Sequence, residues 1–315
     1  MRKLIPIAAL LAAAPAHPQA SANIAAGRAQ PSPLAPSEIV NAAPKADWTA
    51  IAPSDLLVMD LAPDAQGKPR RVVIQLIPAP FSQGWVGNIR KLAAAKFWDG
   101  LSINRVQDNY VVQWGDADGE DKAKARALPP GLVTVPESGY LTSQRSLPVR
   151  IIRSHGSSDA YRFNTFHFQG WPLAAGARYS WPVHCYGMVG VGRNLSPDTG
   201  SGAELYTVIG HAPRHLDRNI ALVGRLIEGV EHLSSLPRGT GGLGFYETPE
   251  ERTPIVSIRI GTEVSGLPAY EYLSTESESF ARYADARTNR RDAFFIRPAG
   301  GADICNIPVP VRRVK

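Results

Sequence analysis

The order of the first strand-like and helix-like patterns most constrains what this chain can fold into. Residues 55–61 and 71–77 are short apolar runs, and Gly67 and Pro69 mark a turn between them. A helical pattern follows, with an apolar stripe at Trp85, Ile89, Leu92 and Ala93. Apolar residues also alternate along residues 254–260, as on a half-buried strand. These patterns predict several strands and a helix laid against a core.

Residues 97–116 carry the most functional information in the chain. They contain a Phe-Trp-Asp-Gly turn, a run ending Asn-Arg-Val, and then Tyr-Val-Val-Gln-Trp-Gly-Asp. The segment resembles the active-site ribbon of cyclophilins, where a Phe-Tyr-Asp-Gly turn leads into a strand ending His-Arg-Val. In that family a second strand, Phe-Met-hydrophobic-Gln-Gly-Gly-Asp, lies beside the first, and Arg105 and Gln113 fall at the matching positions. Outside such a motif, an Arg and a Gln on neighbouring strands are usually solvated residues of a sheet face.

Further blocks resemble the same family and follow its order. They are Asn88-Ile89, residues 186–193, residues 202–206, residues 215–217 and residues 223–231. The shared order argues against a chance match. The chain therefore resembles an exported bacterial cyclophilin that carries an insertion and a C-terminal extension.

The resemblance implies a mainly β fold, which is a closed eight-stranded antiparallel barrel capped by two helices near residues 82–95 and 228–235. The cyclophilin-like domain would cover residues 53–262, with an elaborated insertion at about 117–182. Residues 263–315 would form a C-terminal extension packed on the core.

Two segments outside the family pattern have their own composition. Residues 23–52 are rich in Ala and Pro, which is typical of a flexible or semi-extended linker. Within the insertion, the alternation in residues 161–168 predicts an added strand or hairpin. The insertion could add packing over the barrel or could take part in substrate recognition.

The resemblance implies a peptidyl-prolyl cis-trans isomerase that acts without a covalent intermediate. Amide resonance gives an X-Pro bond a rotational barrier of roughly 18–20 kcal/mol. A guanidinium that donates to the prolyl nitrogen as it becomes pyramidal would stabilise the twisted state most. Arg105 would fill this catalytic role because its donors are planar and always charged. Gln113 would orient Arg105 and bind the substrate.

The resemblance also implies seven substrate-binding positions, and most of them depart from the family. They are Tyr110, Val111, Glu204, Tyr206, His215, Leu216 and Ile220, of which Leu216 matches the family and His215 occurs in some bacterial members. Tyr110 and Tyr206 replace phenylalanines, so the pocket is expected to be smaller and more polar. Glu204 could pair with Arg105 and compete for its guanidinium. The alternative function is therefore a weakly active or inactive cyclophilin-like binding or chaperone module.

The N-terminus predicts export. Residues 1–22 combine a basic start, an apolar run and the small-residue cleavage pattern Ala20-Ser21-Ala22, which together are typical of a signal peptide. The apolar run is too short for a permanent membrane anchor, so no stable membrane insertion is expected. The mature protein is expected to be exported, and periplasmic if the cell has two membranes.

Composition limits the other partners. Removal of Arg2 and Lys3 with the signal would lower the formal charge from +6 to +4, which is mild. The basic residues are scattered, so nucleic-acid binding is not expected. The expected partners are proline-containing peptide segments of unfolded or folding exported proteins. The isomerase mechanism needs no cofactor, and neither His211 nor His215 stands in a metal-ligand pattern.

Two cysteines, Cys185 and Cys305, have two possible states. A disulfide between them would fasten the C-terminal extension to the barrel in an oxidising compartment. Two buried free thiols are equally compatible with the sequence.

Overall fold

The computed structural model describes residues 33–147, 159–161 and 164–314. The predicted signal peptide, residues 1–22, lies outside these residues. The helices are α1 (Pro36–Asn41), α2 (Gln83–Ala94), α3 (Glu231–Ser234) and α4 (Glu278–Thr288). The strands are β1 (Trp48–Ile51), β2 (Leu56–Leu61), β3 (Arg70–Leu76), β4 (Ser102–Val106), β5 (Val111–Gly115), β6 (Thr142–Ser143), β7 (Asn164–Phe168), β8 (Trp171–Ala175), β9 (Tyr179–Pro182), β10 (Met188–Val191), β11 (Leu205–Val208), β12 (Leu222–Glu228), β13 (Thr253–Ile260), β14 (Tyr270–Leu273) and β15 (Val311–Arg313).

Eight strands form a closed barrel in the order β10-β11-β5-β4-β13-β2-β3-β12. Every neighbouring pair is antiparallel, which confirms the predicted fold class. Closure leaves no free sheet edge and makes a rigid wall. On that wall, the register places Arg105 of β4 opposite Gln113 of β5, and Gln113 opposite Tyr206 of β11.

Helix α2 closes one side of the barrel core through its apolar stripe. Trp85, Ile89 and Leu92 are fully buried there, and burial of each aliphatic side chain contributes about 1.5–3 kcal/mol. The Trp85 indole also donates to the carbonyl oxygen of Gly200 at 3.0 Å and stacks on Tyr140. The stripe predicted from the sequence is confirmed. The second capping helix, α3, is shorter than predicted because β12 continues to residue 228.

The insertion forms a second sheet, in the order β6-β9-β8-β7. The predicted hairpin is confirmed: β7 and β8 pair antiparallel across Gln169 and Gly170. Both turn residues have positive φ, at 47° and 81°, which suits the right-handed twist of a two-residue hairpin. The aromatic side chains Phe168 and Trp171 are buried in the same hydrophobic cluster as the barrel interior. The insertion therefore extends the barrel core.

A third sheet joins the two ends of the described chain. Strand β1 pairs with β14, and β14 pairs with β15. Helix α1 lies on α4, and their contact buries Ile39 and Phe280 together with Trp48 of β1.

This third sheet corrects the linker prediction for residues 36–51. Those residues form α1 and β1 instead. The prolines that suggested a linker occupy positions that need no backbone N–H, since Pro36 lies in the first turn of α1 and Pro44 precedes a short 3-10 turn. The few apolar residues of the segment find their partners about 220 residues further along the chain, near Leu273.

A disulfide joins Cys185, just before β10, to Cys305 in the C-terminal extension. The insertion meets the same extension where a ring nitrogen of His167 lies 3.0 Å from the carbonyl oxygen of Ile307. Barrel, insertion and extension are thus joined by covalent and polar contacts. None of the described helices has both the length and the apolar character needed to cross a bilayer.

Candidate active site

Arg105 is held at the edge of the barrel by three hydrogen bonds. Its Nε donates to the carbonyl oxygen of Leu243 at 2.8 Å, and one terminal nitrogen donates to Gln113 Oε1 at 3.3 Å. The other terminal nitrogen donates to Gln107 Oε1. These partners come from β5, from the β4–β5 turn and from a distant loop. The guanidinium is therefore fixed in position before any substrate arrives.

Two aromatic rings flank the same guanidinium. Its central carbon lies 5.8 Å from the ring centre of Tyr110 and 5.1 Å from that of Phe245, within the range of cation–π attraction. Burial lowers the pKa of Arg105 below its ordinary value, and a guanidinium keeps its charge in proteins. The site thus presents a permanent, partly desolvated positive charge.

Sequence reasoning missed Gln107, Leu243 and Phe245. The loop at residues 239–244 satisfies a Gly-x-Gly-x-x-Gly pattern, but it lies between a helix and a strand, so it offered no phosphate-binding turn. Its glycines serve close packing instead. A Cβ on Gly244, whose φ is 79°, would lie 2.7 Å from the Gln107 Cα. The glycine at 244 is therefore the feature of the sequence that could have indicated the close contact between this loop and Gln107.

An apolar pocket opens beside the guanidinium. Its floor is formed by Val111 and Tyr206, which line the groove and belong to a buried cluster with Val208. Partly buried side chains pack around that floor: Tyr110, Leu216 and Ile220. The pocket belongs to a surface groove of about 730 Å³ that also reaches Arg105, Gln113 and Glu204.

His215 lies at the rim of this pocket. It is exposed, and its ring is parallel to that of Tyr110 at 6.4 Å. The structure thus brings the nine predicted site residues to one groove or its rim.

Glu204 does not compete for Arg105 in the way the sequence suggested. Among the ion pairs of the described residues, none joins these two side chains. Glu204 Oε2 instead accepts from Gln113 Nε2 at 3.4 Å. Burial raises the pKa of Glu204 to about 7, although hydrogen bonds from Gln113, the Asp116 backbone and Asn104 oppose the rise.

Comparison with known protein families decides the assignment. The sequence model described as cyclophilin type peptidyl-prolyl cis-trans isomerase/CLD matches residues 69–260. The chain belongs to the cyclophilin family. That match covers seven of the eight barrel strands, all except β2, together with the site and the insertion of this cyclophilin-type peptidyl-prolyl isomerase. A search of curated proteins finds no match.

A solved cyclophilin structure has the same fold. Cyclophilin AquaCyp293 from Hirschia baltica is 21% identical, with a TM-score of 0.63 over 85% of this chain and 94% of its own. A cyclophilin type peptidyl-prolyl isomerase from Cryptosporidium parvum, solved in the presence of the dipeptide Ala-Pro, is 12% identical, with a TM-score of 0.38. It aligns over 64% of this chain and 98% of its own.

Behind the pocket, this cyclophilin has a buried polar chain that sequence reasoning missed. The Tyr206 hydroxyl lies 2.9 Å from His184 Nε2, and His184 Nδ1 lies 2.9 Å from Asp217 Oδ1. Arg214 Nε then donates to Asp217 Oδ2 at 2.7 Å. Burial raises the pKa of Asp217, but hydrogen bonds and charge from His184 and Arg214 outweigh that effect and hold it below its usual value. Asp217 is therefore a buried carboxylate at neutral pH.

The same polar chain reaches both accessory parts of the molecule. Arg214 donates to Asp159 of the insertion at 2.8 Å and lies 3.7 Å from a carboxylate oxygen of Asp303 in the extension. Asp303 also accepts from the backbone N–H of Cys305, which is half of the disulfide. The floor of the pocket is thus connected through side chains to the insertion and the extension. Among the described residues, no group of three or more His, Cys, Asp or Glu could hold a metal ion.

Proposed function

We propose that this cyclophilin accelerates X-Pro isomerisation in exported proteins, with Arg105 as the electrostatic catalyst. One observation carries the proposal. The Arg105 guanidinium is fixed by Gln107, Gln113 and Leu243 directly beside a pocket whose apolar lining suits a prolyl ring.

The pocket would position the substrate before the amide twists. The prolyl ring packs on Val111 and Tyr206, which leaves its nitrogen near the guanidinium. As the C–N bond rotates, the nitrogen becomes pyramidal and its lone pair becomes able to accept a hydrogen bond. An Arg105 N–H then donates to that lone pair and withdraws electron density from the C–N bond. The interaction is strongest in the twisted state, so it lowers the barrier without binding either isomer more tightly.

Gln113 would bind both the Arg105 guanidinium and the substrate. Its carbonyl oxygen accepts from Arg105, which aims the guanidinium. Its amide nitrogen carries two protons, and one of them can bind a substrate carbonyl oxygen while the other is held by Glu204. No covalent bond to the substrate forms or breaks in this mechanism, and no proton is transferred.

Isomerase activity is tested by the exchange rate between cis and trans forms of a capped X-Pro peptide, measured by NMR exchange spectroscopy. The wild type should accelerate exchange, and Arg105→Ala should lose about 100-fold of the acceleration, the order observed when one transition-state donor is removed. Arg238→Ala is the matched control, because it removes the same charge from a partly exposed surface pair with Asp108 and should retain full activity.

The alternative, a binding or chaperone module, rests on the tyrosines at 110 and 206, which stand where the family pattern has phenylalanines. It predicts that the folded wild type binds the peptide but does not accelerate exchange. That outcome would overturn the isomerase proposal.

We also propose that the protein works outside the cytoplasm, in the periplasm of a cell with two membranes. The signal-peptide pattern at residues 1–22 supports this, as does the Cys185–Cys305 disulfide, since such bonds persist in oxidising compartments. Expression of the full chain in a two-membrane bacterium should give a periplasmic product whose N-terminus, read by mass spectrometry, begins at Asn23. A cytoplasmic product that retains residues 1–22 would contradict the proposal.

A further inference from the structure

Glu204 lies in a space made by glycines. A Cβ on Gly115, whose φ is 152°, would lie 2.0 Å from Glu204 Oε1, and a Cβ on Gly192 would lie 2.9 Å from the Glu204 Cβ. Neither Gly115 nor Gly192 could carry a side chain while the Glu204 side chain occupies this space. The barrel wall thus holds Glu204 close against Gln113.

The hydrogen bonds around Gln113 have a fixed direction. Arg105 can only donate, so it requires the carbonyl oxygen of Gln113. A carboxylate can only accept, so Glu204 requires the amide nitrogen. With both charges present, the Gln113 amide has one orientation, with its oxygen toward Arg105 and its nitrogen toward Glu204.

We propose that Glu204 is a positioning residue whose ionised carboxylate locks the Gln113 amide in the productive orientation, so that isomerase activity rises when Glu204 loses its proton. This inference rests on the proposed function. A protonated Glu204 can donate as well as accept, so it tolerates either orientation of the amide. The second orientation turns the Gln113 nitrogen toward the Arg105 guanidinium and releases the hydrogen bond that aims it.

The surroundings of Glu204 allow both protonation states at ordinary pH. Burial raises its pKa to about 7, and the charge of Asp116 acts in the same direction. The groove is also lined by Arg105, Arg126, Arg193 and Arg252, but no ion pair of the described residues joins any of them to Glu204. Asn104 also hydrogen-bonds to Glu204, and its own Oδ1 is buried without a partner. Rotation of the Asn104 amide would therefore give a protonated Glu204 an acceptor.

The ionised Glu204 that locks the Gln113 amide lowers the stability of the folded protein, and this cost appears over a definite pH range. The folded pKa of Glu204 lies above its ordinary value near 4.5, so the folded protein binds this proton more tightly than the unfolded chain does. The stability that this bound proton contributes is fully present below the pKa of Glu204 in the unfolded chain and is lost as the pH rises through about 7. Glu204→Gln removes the buried charge, so this variant should be more stable than the wild type at pH 8 and should match it at pH 5.

The deciding experiment is the pH profile of kcat/KM for a capped X-Pro peptide without titratable groups, in wild type and Glu204→Gln. The wild-type value should rise about fivefold between pH 5.5 and 8.5, the factor expected for one oriented hydrogen bond. Glu204→Gln should remain at the low-pH level throughout. His215→Gln, which removes the imidazole ring that lies beside Tyr110, is the histidine control and should keep the step.

Two results would overturn the inference: a step that persists in Glu204→Gln, or a step that disappears in His215→Gln. Equal urea midpoints of wild type and Glu204→Gln at pH 8 would also overturn it, because the carboxylate would then bear no burial cost. Failure of the proposed function is distinguishable, since it would leave Arg105→Ala as active as the wild type at every pH.

Discussion

At the scale of single residues, Tyr206 shows how one oxygen atom changes what lies behind a binding pocket. A phenylalanine there would end the pocket with an apolar edge. The tyrosine hydroxyl instead forms a hydrogen bond with His184. The hydroxyl passes close to Gly190, and a Cβ on that glycine would lie only 2.3 Å from it. The hydroxyl therefore fixes the ring that forms the pocket floor.

Tyr206→Phe should destabilise the protein by about 1–3 kcal/mol, because it leaves the buried His184 Nε2 without its partner. Urea unfolding followed by fluorescence measures the change. Tyr179→Phe is the control: Tyr179 is 47% exposed and its substitution should change the free energy of unfolding by less than about 0.5 kcal/mol. Equal stability of Tyr206→Phe and wild type would show that the hydrogen bond contributes nothing.

The sequence predicted some residues of the site and not others for a physical reason. Arg105 and Gln113 lie on adjacent strands joined by a short turn, so their pairing follows from local sequence. Leu243, which binds Arg105, is 138 residues away, and His184 is recognisable only once β11 is known to pack over it. Contacts of this kind depend on tertiary packing, which leaves no local pattern.

At the scale of elements, the same limit explains the error over residues 36–51. Trp48 lies in an Ala- and Pro-rich context, and its partners are in the C-terminal extension. The Arg312 guanidinium lies 3.6 Å from the Trp48 ring centre, and Phe280 and Leu273 complete the cluster. By contrast, α2 was predicted well because its stripe is contained within 12 residues.

Trp48→Ala should destabilise the β1-β14-β15 sheet by about 3 kcal/mol, as expected for a large buried aromatic side chain. Hydrogen exchange monitored by mass spectrometry should show faster exchange in β14 and α4, with unchanged protection in β4 and β5. Isomerase activity should be unaffected, because Trp48 lies outside the site. Faster exchange across the whole barrel would contradict this, since it would mean that the sheet is not a separate layer.

At the scale of the whole molecule, the accessory parts are held to the barrel in different ways. The insertion shares the barrel's hydrophobic core, whereas α1, β1, β14 and α4 contribute to a cluster of their own. The Cys185–Cys305 disulfide packs against the barrel cluster and fastens the extension there, two residues before Ile307 of the second cluster. We therefore expect the extension to depend on the disulfide more than the insertion does.

Reduction of the disulfide should lower the free energy of unfolding by about 4–5 kcal/mol, the chain-entropy value for a loop of this length. Scanning calorimetry with and without dithiothreitol measures the effect as a lower Tm. A Cys185→Ser, Cys305→Ser double variant should have the reduced Tm and no response to dithiothreitol. An identical Tm for reduced and oxidised wild type would show that the bond adds no constraint.

In the proposed mechanism, Arg105 acts on the twisted amide and not on the bound isomers. The most direct test is to measure, by NMR titration on one capped X-Pro peptide, both the Kd and the catalysed exchange rate for wild type and Arg105→Ala. We expect Arg105→Ala to have a Kd within about threefold of wild type and an exchange rate about 100-fold lower. An exchange rate that falls only in proportion to the affinity would show that Arg105 is a binding residue and not the catalyst.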